Sequence, residues 1–204
     1  ETTRNSAYNA ITARKVRLFG TAQYSLKEFN GLRKDLLAAA HSVPSTLAGG
    51  NSGHVYLITD EEGLKKFTKD DSIVQKPIGN PGAVANIEKD DMDAEIALKR
   101  DQLNAANDTY YTQEGAADGL KDKMVESVPK ICLQALEDED HGFLLVTPLE
   151  MIEHLRNRAK KVDAATLYAL LQQRDENIDF EGDMTLETFF EYINKRINEL
   201  LSYK

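Results

Sequence analysis

The chain has 204 residues, enough for one large domain or two small ones. Its 41% hydrophobic and 29% charged residues exclude a disordered chain, and a net charge of -9 predicts an acidic, soluble, intracellular protein. The single cysteine, Cys132, excludes an internal disulfide framework, a Cys-rich zinc module and a CxxC redox centre. No apolar run approaches the roughly 20 residues of a membrane span, so no membrane partner is expected.

The opening on Glu1, without Met, reads as the trimmed start of a longer chain. Charge is uneven along the sequence: residues 1–45 carry +4, residues 46–128 carry -7 and residues 129–204 carry -6. Phosphate binding needs a concentrated basic surface, because affinity comes largely from released counterions. Only the first third offers one, around Arg14, Lys15 and Arg17.

Helix signals dominate the rest. Ser25-Leu-Lys-Glu28 has the capping-box form, in which hydroxyl and carboxylate satisfy two free N–H groups reciprocally. Leu26, Phe29, Leu32, Leu36, Leu37 and Ala40 then recur at helical spacing until Val43-Pro44. Residues 48–53 form a glycine-rich turn, and residues 54–58 read as a short strand or an extended segment packed under helices. Thr59-Asp-Glu-Glu62 repeats the capping-box form and opens a short helix to about Phe67. Residues 71–89 lack period and hold Pro77, Gly79, Pro81 and Gly82, the composition of a loop or crossover.

Residues 90–127 read as one long helix, or two broken near Gly115–Gly119, with a weak stripe of Met92, Ile96, Leu103, Tyr110, Leu120 and Met124. Pro129 opens a helix carrying Ile131, Cys132, Leu133 and Leu136, and an acidic turn follows at residues 137–140. Thr147-Pro-Leu-Glu150 combines an N-cap, a proline at the first helical position and a closing glutamate. Asp163 is placed as the cap of a helix with Leu167, Leu170 and Leu171. Asp183 or Thr185 opens a last helix with Leu186, Phe189, Phe190, Ile193, Ile197, Leu200 and Leu201. Four amphipathic helices in the last third suffice to enclose a small core, and the expected fold class is mainly α.

Chemical motifs fail one by one. The glycine stretch at 49–53 is followed by His54-Val55 where a phosphate loop needs Lys and a hydroxyl. Asp175, Asn177 and Asp179 match an EF-hand start, but Phe180 and Leu186 stand where glycine and a bidentate glutamate belong. The histidines His41, His54, His141 and His154 form no HExxH pair, and no Asp-[Ser/Thr]-Gly triplet or Gly-x-Ser-x-Gly elbow occurs. His54, beside the glycine turn, is the one general-base candidate. No catalytic residue, metal or cofactor is assigned, and the chain reads as a non-enzyme.

The run Ile131-Cys-Leu-Gln-Ala-Leu136, then Thr147-Pro-Leu-Glu-Met-Ile-Glu-His-Leu155, the leucines 167, 170 and 171, and Thr185-Leu-Glu-Thr-Phe-Phe-Glu-Tyr-Ile resemble the Gag capsid region of copia-type LTR retrotransposons. Residues 43–59 resemble a segment of Gag-like reading frames from microbial eukaryotes. The resemblance implies a structural capsid subunit with two helical lobes, 1–127 and 128–204, hinged near Ser127-Val-Pro129. It implies a homo-oligomer that forms cytoplasmic virus-like particles around RNA. The Cys-Cys-His-Cys knuckle of many Gag proteins is absent, which leaves the basic N-terminal segment, with Arg14, Lys15 and Arg17, as the candidate RNA contact. Self-association is assigned to Phe189, Phe190, Ile193 and Ile197. The alternative is a helical adaptor, or a domesticated Gag, binding a protein partner.

Overall fold

A computed structural model describes residues 2–45, 52–88 and 92–177. The expected last helix, with Phe189, Phe190, Ile193 and Ile197, lies outside the described residues. The fold is mainly α, as expected, at 63% helix. Its elements are α1 (Thr2–Thr12), α2 (Leu26–His41), α3 (Glu61–Thr68), α4 (Asp93–Ser127) and α5 (Pro148–Asn177). Among the described residues there is no strand, only one isolated bridge between Asp138 and Gly142 in the acidic turn.

The two strongest caps form as expected. Ser25 Oγ accepts from the Glu28 N–H at 3.2 Å, while Glu28 accepts from the Ser25 N–H at 2.7 Å. Thr147 and Glu150 repeat the exchange at 3.2 and 2.8 Å. Each carboxyl is held below its ordinary range, chiefly by the backbone N–H it accepts. In α3 the cap shifts by one residue. Asp60, not Thr59, accepts from the Gly63 N–H, and the helix ends at left-handed Lys69.

Residues 54–58 are neither strand nor extended: Val55–Leu57 form a 3-10 turn. Val55, Tyr56, Leu57 and Ile58 are all buried, which an alternating strand with one solvated face would not allow. With no neighbouring strand among the described residues to pair it, the backbone closes on itself. Leu57 N–H donates to the His54 carbonyl, and Ile58 N–H and the Thr59 hydroxyl donate to the Val55 carbonyl. The turn enters through Gly53, whose positive φ and a clearance of only 2.7 Å between a Cβ there and the His41 carbonyl both demand glycine.

Helix α4 is continuous through Gly115 and Gly119. Those glycines let α1 approach closely: a methyl at 115 would overlap the Arg4 carbonyl, and one at 119 would stand 3.1 Å from Ile11 Cβ. Ala7 and Ile11 of α1 are buried in the same core as Ala116, Leu120 and Met124. Arg4 pairs with Asp118, and the Tyr8 hydroxyl donates to Asp122 at 2.6 Å along the rim.

After α4 the expected helix at Pro129 is replaced by two 3-10 turns, Lys130–Cys132 and Gln134–Leu136. Cys132 and Leu133 are buried there while Ile131 is 59% exposed. Helix α5 then runs unbroken for 30 residues, so Asp163 opens no new helix. Its carboxylate instead accepts from the Leu26 N–H at 3.1 Å and helps cap α2.

The core is continuous across the expected joint at 127–128. Met151, Ile152, Leu155 and Ala159 of α5 belong to the cluster that holds Phe29, Leu32 and Leu120. Polar ties reinforce it. The buried Tyr24 hydroxyl donates to the Leu155 carbonyl at 3.0 Å, and Arg158 Nε donates to the Ala22 carbonyl at 3.2 Å. No described helix is long and apolar enough to cross a membrane.

Candidate functional site

The three basic candidates separate in space and role. Arg14 and Lys15 are exposed beyond the end of α1. Arg17 lies over Gly31 on α2, where its Nε meets Asp35 at 2.8 Å and its backbone N–H meets the same carboxylate at 3.1 Å. The paired guanidinium holds the Asp35 carboxyl below its ordinary range. Arg17 therefore fastens the segment after α1 to α2 while remaining exposed, and Arg14 and Lys15 are exposed as well.

Two clefts stand out. The first, of about 540 Å³, lies between α1, α4 and the 143–144 segment. Arg4, Tyr8 and Lys121 edge it, and Val125 and Leu144 give it an apolar wall. Leu144 and Leu145 are 67% and 71% exposed. The second, of about 370 Å³, lies where the end of the α2 connection meets the middle of α4, and His54 lines it together with Asp108 and Thr112.

His54 is the residue that the sequence singles out by type, and the structure surrounds it with groups that the sequence does not reveal. A run of side-chain contacts starts at Gln113. Its Nε2 donates to the Ile78 carbonyl at 3.0 Å and its Oε1 accepts from the Ile78 N–H at 2.8 Å. That pair of hydrogen bonds to one residue fixes which end of the amide is which. The Tyr56 hydroxyl therefore donates to Gln113 Oε1, at 3.1 Å. The same hydroxyl lies within hydrogen-bond distance of His54 Nδ1, at 3.2 Å. His54 Nε2 is buried and, among the described residues, makes no hydrogen bond of full geometry. Burial pushes the imidazole below its ordinary value, while a hydrogen bond to the Pro44 backbone carbonyl works the other way. No local signal marks Gln113, which sits 57 residues from Tyr56 in an otherwise polar helical stretch.

The other chemistry-bearing residues lie apart from this cleft. Cys132 is buried, and burial pushes its thiol up, away from the reactive thiolate. Asp138, Asp140 and His141 gather on the exposed acidic turn, where Asp138 accepts from the His141 and Asp140 N–H groups. His154 Nε2 donates to the Cys132 carbonyl at 3.0 Å, tying α5 to the turn below it.

No known protein family, curated protein or solved structure matches the chain.

Proposed function

We propose that the protein is a non-enzymatic, self-associating structural subunit, a Gag-like shell protein of cytoplasmic virus-like particles. The observation that carries this reading is the apolar wall formed by Val125 and Leu144, with Leu145 beside it. Leucines more than two-thirds exposed on a chain with a net charge of -9 are the side chains that a neighbouring copy would bury. Each contributes about 1.5–3 kcal/mol when fully covered. The continuous helical core from α1 to α5 supports the reading too, because a shell subunit needs a rigid body on which to hold such a patch. RNA would be held through Arg14 and Lys15, with Arg17 positioning the segment rather than meeting phosphate.

Light scattering and negative-stain microscopy of the purified chain test this, across salt concentrations and with or without RNA. Regular particles, or capsomer-sized oligomers lost in Leu144→Asp/Leu145→Asp, are the expected result. Assembly that requires RNA and fails in Arg14→Ala/Lys15→Ala would assign the basic segment. A monomer in every condition would overturn the shell reading in favour of an adaptor that binds a different protein.

A further inference from the structure

We infer that Lys27 and Lys34 of α2, with Arg17 and Leu18 laid against them, form a docking face for the acidic turn and leucines of a second copy. The inference rests on the self-associating reading above and names what the leucine patch meets. Gly31 sets the face up. Positions 27, 31 and 34 lie on one side of α2, roughly one turn apart, over about 10 Å. A methyl at 31 would overlap the Arg17 guanidinium, so glycine there lets Arg17 lie flat on the helix. Arg17 thus stands between Lys27 and Lys34 in a row of three exposed cations. Asp35 pairs with Arg17 at 2.8 Å, and Glu28 and Asp163 cap the start of the helix. Among the described residues no ion pair engages Lys27 or Lys34. Residues 14–35 hold six basic groups against Glu28 and Asp35, a net +4 on a chain of -9. Leu18 is 72% exposed beside them.

The opposite charge adjoins the leucine patch. Residues 137–140 are four consecutive acids, and their turn runs into Leu144, whose N–H donates to the His141 carbonyl at 3.1 Å. Lys130 pairs with Glu137 at 3.1 Å, and His141 meets Asp138 at 2.9 Å. Glu139 and Asp140 are exposed, and among the described residues no ion pair engages them. Two leucine patches meeting about a two-fold axis would bring both acidic turns together, and facing like charges oppose that contact. Seating the turn on α2 of the next copy sets Glu139 and Asp140 against Lys27 and Lys34, with Leu144 and Leu145 against Leu18. The two surfaces differ, so the contact runs head to tail. Each added copy leaves one turn and one row free, and repetition builds a ring or an open array rather than a closed dimer.

The test is sedimentation of the full chain at rising salt, with charge-reversed variants alone and mixed. Association should weaken about tenfold between about 0.05 M and about 0.5 M NaCl. Lys27→Glu/Lys34→Glu and Glu139→Lys/Asp140→Lys, all at exposed positions, should each weaken it about tenfold. An equal mixture of the two should associate as the unaltered chain does, because every turn then finds a row of opposite charge. Lys66→Glu/Lys76→Glu, the same charge change elsewhere on the surface, should alter association less than about twofold. Circular dichroism checks that each variant keeps its helices. Association that salt strengthens, that ignores the Lys27 and Lys34 reversal, or that the mixture fails to restore would overturn the inference and leave the shell reading to its own leucine test. Equal weakening by Lys66→Glu/Lys76→Glu would overturn it too, leaving only repulsion between acidic chains. RNA binding lost in Lys27→Glu/Lys34→Glu with association intact would overturn it and give the row to nucleic-acid phosphate. An unaltered chain that stays monomeric at every salt overturns both readings.

Discussion

The two halves of α4 share one helix and obey different rules. From Gln113 to Ser127 the helix is buried on one face, where Gly115, Ala116, Gly119, Leu120 and Met124 receive α1 and the core. From Asp93 to residue 112 no side chain is fully buried, over about 30 Å of helix at ~1.5 Å per residue. Leu98 is 58% exposed there, while Leu120 is fully buried. The first half is held as a helix by propensity and by its Glu95 cap, which accepts from the Met92 N–H at 2.9 Å. The second is held by packing. Apolar content alone does not distinguish them; what differs is whether another element lies opposite.

The sharpest way to break the comparison is a matched pair of truncations. Leu120→Ala should cost about 2–5 kcal/mol, and Leu98→Ala about 0.5 kcal/mol or less, by urea unfolding. Next, Gly115→Ala should destabilise by about 1–3 kcal/mol, because the new methyl overlaps the Arg4 carbonyl. In an ordinary helix interior the same change gains up to about 1 kcal/mol, so the sign of the result is the test.

At the boundary between the halves, Gln113→Ala should cost about 1–3 kcal/mol and raise amide exchange at Ile78, which loses its acceptor. Unchanged exchange at Ile78 would show that the crossover segment is held some other way. The smallest effect concerns pH. The folded-state pKa of His54 is depressed by burial, so the unfolded chain binds the proton more readily. Stability should therefore fall as pH drops below about 6.5, before carboxylates such as Asp35 and Glu150 titrate. His54→Phe should remove that early loss and keep the later one.

The same contrast explains what was legible in the sequence. Capping boxes at Ser25–Glu28 and Thr147–Glu150 are written within four consecutive residues, so they read directly. Helix α1 does not, because few of its residues are apolar, Ala7 and Ile11 chief among those buried, and their partners lie more than a hundred residues later. Gly115 and Gly119 suggest a break when read alone and a close crossing once α1 is opposite them. Asp163 carries the right chemistry for a cap, but the helix it caps begins at Leu26. Residues 54–58 have strand composition, yet Val55 to Ile58 are all buried and the backbone closes into a 3-10 turn. At the candidate site, residue type pointed to His54 and to the basic trio. The pairing of Arg17 with Asp35, and the link from His54 through Tyr56 to Gln113, are tertiary facts with no local trace.

The docking of α1 also has a consequence for the order in which the chain takes shape during synthesis. An 11-residue helix is too short to persist alone in water, and its surface on α4 is completed only after residue 124 has been made. The Asp163 bond to the start of α2 arrives later still. The residues of α1 leave the ribosome before those of α4 yet settle only after them, and closing that loop of more than a hundred residues carries an entropic delay. Until then Arg4 and Tyr8 lack the Asp118 and Asp122 carboxylates that they meet in the fold.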